Sequence, residues 1–260
     1  MFLGVNGADA FVATGGRAFD ASMPAVVFLH GAGMDHSVWA LHSRWFAHHG
    51  HAVLVPDLPG HGRSFGRPLA SVAEMADWTA ALIAASGAAR ATLIGHSMGA
   101  LVALELTARH PEMVSALGLI GIAATMKVGR DLLKAAEANE PASMDMVSLW
   151  GLGPAAAIGE CRAPGLWMLG YARRLIEANR PGVLFAGLAA CDRYEDGLAA
   201  AARITVPATL ILGERDLMTP LRGGEALAAG LPNSRLVILR GAGHMMMIER
   251  PDDVLMALRR

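Results

Sequence analysis

Short runs of apolar, often β-branched residues recur along the chain: AVVFL at 25–29, AVLVP at 52–56, ATLIG at 91–95, ALGLIGI at 116–122, ATLILG at 208–213 and RLVIL at 235–239. The runs are continuous rather than alternating, which is the pattern of strands covered on both faces and so of a parallel sheet. Longer stretches with helix punctuation lie between them. SVAEMADWTAALIAASG opens on Ser71 with Glu74 three residues later, a capping-box spacing, and closes at Gly87. SMGALVALELTARHP is stopped by Pro111. Strands that alternate with helices predict an α/β fold with a doubly wound, mostly parallel sheet. The N-terminal FLGVNGADAFVATGG reads instead as a β-hairpin or meander on an antiparallel edge.

One stretch breaks the alternation. From about Ala123 to Arg203 the strand signal disappears, and the text is rich in alanine and methionine, punctuated by Gly153-Pro154 and Pro164-Gly165. It predicts a helical insertion packed on the sheet. The chain thus divides into a core of 1–122 and 204–260 and a helical subdomain of 123–203.

Composition narrows the function. Apolar residues make up 53% of the chain and aromatics only 5%, so alanine, leucine, methionine and valine must build the core. The formal net charge is −1 with no long run of one sign, which leaves no electrostatic footprint for nucleic acid or an acidic membrane surface. No apolar stretch is long enough for a transmembrane helix, and the N-terminus lacks a basic segment followed by an apolar one. The expectation is a soluble, cytoplasmic protein. Its two cysteines, Cys161 and Cys191, have neither Cys-x-x-Cys nor zinc-ligand spacing. Reduced thiols are expected over a disulfide between them.

The polar residues that follow the strand runs carry the chemistry. His30 and Gly31 follow the first parallel run, Asp57 the second and Ser97 the third; Asp216 lies three residues past Gly213, and His244 follows the last run. Ligands of open parallel sheets sit beyond the carboxyl ends of the strands, so these groups converge on one edge. Ser97 stands in Gly-His-Ser-Met-Gly, where strand becomes helix. A serine at such a turn projects its hydroxyl while the backbone bends sharply, and the residues two to either side must be small, as Gly95 and Gly99 are. The helix start also supplies main-chain N–H groups for an oxyanion. A serine hydroxyl needs a base to take its proton, and the base needs an orienting carboxylate. Ser97, Asp216 and His244 occur in the order this architecture uses.

On HGAG at 30–33, DLPGHGRS at 57–64, GHSMGA at 95–100, LGERDLMTP at 212–220 and GAGHMMMIERP at 241–251, the chain resembles the α/β-hydrolase fold superfamily, serine-nucleophile branch. The likeness covers the chain outside the insertion. It implies Asp216 as catalytic acid, His244 as base, and the backbone N–H groups of Ala32 and Met98 as the oxyanion hole. The insertion would correspond to the family's helical cap, and DLPGHGRS to a structural turn in which Asp57 and His61 do not touch substrate. Serine at the elbow argues against the haloalkane dehalogenase and epoxide hydrolase branches, which use a carboxylate nucleophile.

Rival readings are weaker. Glu214 competes with Asp216 for the acid, but the family spacing favours Asp216. Gly31-Ala-Gly33 followed by Asp57 imitates a dinucleotide fingerprint, yet His36 occupies the third glycine position. His48, His49 and His51 sit at a helix end with no suitably spaced carboxylate, so neither metal nor cofactor is expected. Met34, His36 and Met245 are placed to border a substrate pocket, with Trp150 and Trp167 of MDMVSLWGLG and APGLWMLG as cap candidates. The cap methionines read equally well as core.

The expected reaction is two-step acyl transfer on a small, largely apolar carboxylic ester, lactone or thioester. The scattered arginines Arg162, Arg173, Arg174 and Arg180 also suit an acid with one carboxylate. The alternatives are a C–C bond hydrolase of dienoic ring-fission products and a ligand-binding receptor with a slow triad. The expected partner is a small-molecule substrate; a cap-mediated homodimer is left undecided.

Overall fold

A computed structural model describes residues 1–159 and 166–259. Cys161 and Arg162, and the first residues of APGLWMLG, lie outside the described residues.

The N-terminal hairpin pairs β1 (Phe2–Val5) with β2 (Ala8–Ala13) in antiparallel register. Its two-residue turn, Asn6-Gly7, has positive φ at both positions (51° and 82°), the geometry that matches the twist of the flanking strands. Six parallel strands follow: β3 (Ala25–Leu29), β4 (Ala52–Pro56), β5 (Ala91–His96), β6 (Val114–Ile120), β7 (Ala208–Gly213) and β8 (Ser234–Leu239). The sheet order is β1-β2-β4-β3-β5-β6-β7-β8, with β2 antiparallel to β4. β6 begins and ends two residues before the hydropathic run at 116–122. Gly121, at φ +59°, bends the chain out of the sheet there.

Alternate side chains of each inner strand enter separate cores. Val27 and Leu29 pack into the layer that holds α2 (Val72–Ser86) and α3 (Met98–Arg109); Val26 and Phe28 pack into the layer of α1 (Ala40–His48) and the C-terminal helices. That two-sided burial explains why the strands read as unbroken apolar runs. α2 is capped as its sequence predicts: Ser71 Oγ accepts the Glu74 N–H at 3.2 Å, Glu74 accepts the Ala70 N–H at 2.9 Å, and Gly87 closes the helix at φ +81°.

Between β6 and β7 the described chain is helical: α4 (Arg130–Glu137), α5 (Pro141–Trp150), α6 (Pro154–Ala157), α7 (Met168–Glu177), α8 (Val183–Arg193) and α9 (Gly197–Ala201). α10 (Leu221–Ala229), α11 (Met246–Glu249) and α12 (Pro251–Leu258) complete the fold. Among the described residues no helix is long and apolar enough to cross a membrane. β3 is the point where the strand order reverses, β4 lying on one side and β5 on the other. The loops leaving β3 and β5 therefore diverge and open a crevice at the carboxyl edge of the sheet.

Candidate active site

Ser97 occupies the turn from β5 into α3 at φ +54°, ψ −118°, a conformation that costs a non-glycine residue about 1–3 kcal/mol. Its surroundings enforce it. The Ser97 N–H donates to the Ile120 carbonyl at 2.9 Å, and the Ser97 carbonyl accepts from Ala100 N–H (2.9 Å) and Leu101 N–H (3.2 Å). A Cβ on Gly95 would collide with the Gly99 carbonyl, and one on Gly99 with the Leu29 carbonyl. The glycines at both flanks are thus explained by main chain against main chain. α3 runs from this turn through the middle of the core, buried from Met98 to Thr107.

The acid and base arrive on the loops after β7 and β8. His244 Nδ1 lies 2.8 Å from Asp216 Oδ2, both side chains almost wholly buried. A carboxylate only accepts, so Nδ1 carries the ring proton and Nε2 presents its lone pair. Among the described residues Nε2 has no hydrogen-bond partner. Asp216 is held by Met218 N–H and Thr219 N–H on Oδ1 (2.8 Å each) and by the Thr219 hydroxyl on Oδ2 (2.6 Å). Burial alone would raise its pKa; the neighbouring imidazole and these donors outweigh that and hold the carboxyl below its usual value. Glu214 is directed elsewhere, accepting the Gly241 N–H at 2.9 Å.

A cavity of about 150 Å³ joins these groups. Ser97, His244 and Ala32 line it together with Met126, Leu132, Val147 and Leu188 of the helical insertion and with Leu217 and Met218 from the loop after β7. Met34, Trp150 and Met245 border it as the sequence predicts. Cys191 also lines it, but burial pushes its thiol up to about 12, so it stays protonated and does not rival the serine as a nucleophile. Neither Ala32 N–H nor Met98 N–H donates to a protein acceptor among the described residues. Gly33, at φ +66°, makes the loop carrying Ala32, and a Cβ there would meet Leu184 Cδ1 at 2.8 Å.

Two predicted pocket residues lie elsewhere. His36 is turned away from the cavity: its backbone N–H and Nδ1 both reach Asp57 Oδ1, at 2.7 and 2.8 Å. The wholly buried Asp57 takes Arg63 N–H on its other oxygen at 2.8 Å, so it organises the two loops beside the site. Burial lowers the pKa of His36, but Asp57 more than reverses this and raises it. Asp35, His36 and Asp57 bring ligand-type atoms within 4.8 Å of one another, yet internal hydrogen bonds already engage them: Asp35 caps the turn at Ser37 N–H. Trp167 stands 70% exposed at the start of α7, against Asp145, Leu149 and Arg173 on the outer side of the insertion. A tryptophan in APGLWMLG carries no sign of which side it faces.

Thr219 and His96 contact Asp216 and His244, and the sequence pattern assigned neither a place in the site. His96 Nε2 faces the His244 carbonyl at 2.9 Å and so donates to it. Burial and the nearby His244 keep His96 neutral, its pKa well below the usual range. The Thr219 signal is present in DLMTP, three residues past the acid, where a hydroxyl and an amide can both return to the carboxylate.

Comparison with known proteins agrees with this fold. The sequence profile of the alpha/beta hydrolase fold matches residues 24–251. The pimeloyl-[acyl-carrier protein] methyl ester esterase of Chromobacterium violaceum is 34% identical, over 90% of this chain and 92% of that protein. The enzyme of the same name from Aromatoleum aromaticum is 33% identical, over 88% and 94%. Among solved structures, an enol-lactonase of Burkholderia xenovorans superposes with a TM-score of 0.87 at 25% identity, covering 99% of this chain and 98% of that one. A thermophilic esterase superposes with a TM-score of 0.81 at 30% identity, covering 99% and 94%.

Proposed function

The chain belongs to the alpha/beta hydrolase fold family, and from that premise we propose that it is a carboxylic ester hydrolase in which Ser97, His244 and Asp216 form the catalytic triad. The observation that carries this reading is the free Nε2 of an Asp216-anchored His244 lining the same cavity as Ser97, which sits at positive φ. His244 takes the Ser97 proton as Oγ attacks the ester carbonyl, and Asp216 stabilises the imidazolium that forms. The uncommitted N–H groups of Ala32 and Met98 receive the oxyanion. The alcohol leaves with the proton from His244, and water, activated by the same base, releases the acid and regenerates Ser97.

The helical segment 123–203 acts as the cap over this site, since it supplies most of the cavity wall. The cavity matches the volume that accommodates a benzene-sized ligand, so it suits acyl groups of about four to six carbons or a compact lactone. The curated relatives are named for a methyl ester borne on an acyl carrier protein. Segment 123–203 holds nine Lys and Arg against nine Asp and Glu, so it carries no net positive charge toward an acidic carrier. A free small-molecule ester with a small alcohol is therefore the substrate class we favour. The buried free thiol of Cys191 suits a reducing, cytoplasmic setting.

The test is hydrolysis of p-nitrophenyl and methyl esters with acyl chains from about two to about twelve carbons, sized against the pocket. Turnover should peak at the short end and fall by about 10⁴-fold or more in Ser97→Ala and Asp216→Asn. Ester turnover that survives Ser97→Ala would overturn the assignment.

A further inference from the structure

Glu249, at the end of α11, is a buried carboxylate whose described partners are main-chain amides and no cation. Burying such a group is costly unless its acceptors are used. Gly243 N–H donates to both oxygens, at 3.1 and 3.0 Å, and Gly153 N–H donates to Oε2 at 3.0 Å. Gly243 immediately precedes His244. Gly153 belongs to the turn between α5 and α6, in the helical insertion.

The same two segments are joined again beside the carboxylate. The Gly151 carbonyl accepts the N–H groups of both His244 and Met245, each at 2.9 Å. His96 fixes the His244 carbonyl from the sheet side. The approach is too close for side chains: a Cβ on Gly243 would collide with Gly153 N, and one on Gly153 would stand 2.9 Å from Glu249 Oε2.

We propose that Glu249 is a positioning residue for ester hydrolysis, its carboxylate tying the loop that carries His244 to the Gly151–Gly153 turn so that base and cap hold one another in place. This rests on the assignment of His244 as the base. The oxygen Oε2 alone receives both glycine amides, so a glutamine with its carbonyl in that place keeps those two bonds and gives up only the charge and the second, 3.1 Å contact of Gly243 N–H. An aspartate keeps the charge but stops one methylene short.

Steady-state kinetics on p-nitrophenyl butyrate, below each variant's melting temperature, separate the cases. Glu249→Asp and Glu249→Ala should lower kcat by about 10–100-fold, the scale of a misplacement near 1 Å, with KM changed by less than about threefold. Glu249→Gln should stay within about fivefold of wild type in kcat. If the alanine variant does not fold, the contrast of aspartate with glutamine decides alone. Wild-type kcat in all soluble variants, whatever their melting temperatures, would reduce Glu249 to a stability element and overturn the proposal. A slow glutamine beside a normal aspartate would overturn it too, since charge and not reach would then matter. Ser97→Ala and His244→Ala run alongside: activity surviving in them would unseat the triad itself, whereas their failure with unaffected Glu249 variants would unseat only this inference.

Discussion

Lowering the pH from 7.5 to 5.0 should destabilise the fold through histidines that have no catalytic part. His42 joins α1 to α12, its Nε2 donating to the Pro251 carbonyl at 3.1 Å, while Nδ1 is buried without a partner. His61 faces the Pro59 carbonyl through Nδ1 at 3.2 Å and leaves Nε2 in the same condition. Burial lowers the pKa of His42 to about 4 and that of His61 to about 3. An unfolded histidine titrates near 6.5, so the unfolded chain takes up these protons first. The stability is therefore present above pH 6.5 and is lost as the pH falls toward the folded values. At pH 5.0 an unfolded histidine is about 97% protonated and folded His42 about 9%, which corresponds to about 2 kcal/mol from each residue and about 4 kcal/mol together. That is a large share of a stability of about 5–15 kcal/mol. His36, whose pKa is raised, works in the opposite direction and offsets part of the loss.

The measurement that isolates the effect is urea unfolding at pH 7.5 and 5.0 for wild type and the His42→Gln, His61→Gln double variant. Glutamine can still donate to a carbonyl but cannot titrate. Wild type should lose about 4 kcal/mol more than the double variant over this interval. Equal losses would show that both rings are protonated near pH 6.5 in the folded protein, and the argument from burial would fail.

Gly99→Ala should cost about 3 kcal/mol or more, because its Cβ meets the Leu29 and His30 carbonyls and main chain cannot step aside, whereas Gly4→Ala, with open space around it, should be nearly neutral. Equal melting temperatures for the two variants would refute the steric account of the elbow. Trp150→Ala should widen the cavity that Trp150 borders and move the preferred acyl length up by about two carbons or more, with an unchanged preference counting against that wall as the acyl site.

The sheet was legible because the inner parallel strands, covered on both faces, leave a plain mark, an unbroken apolar run; β8 keeps such a run at the sheet edge, where Leu236 and Ile238 stand exposed. β6 alone is displaced, since Ile122 is as apolar as a strand residue and only the positive φ of Gly121 ends the strand before it. Ser97, Asp216 and His244 were legible for a related reason. Parallel strands deliver their carboxyl ends to one edge, so polar residues just past several apolar runs meet in space although they are far apart in sequence.

The pocket followed no such rule, and the misplaced His36 shows why. His36 lies two residues from Met34, which does line the cavity, but which way a loop side chain turns depends on a distant partner. For His36 that partner is Asp57, which offers a buried carboxylate and so captures both the backbone and the ring. The tie between cap and base is harder still to read. It is made by the N–H and carbonyl groups of Gly151, Gly153, Gly243 and His244, which every residue type but proline possesses, and its one side-chain participant is a glutamate that surface helices use freely. The glycines are the only sequence trace. They mark where two main chains touch without saying which two. That contact also has a mechanical consequence. If the Gly151–Gly153 turn is fastened to the His244 loop as proposed, this end of the insertion cannot lift without disturbing His244.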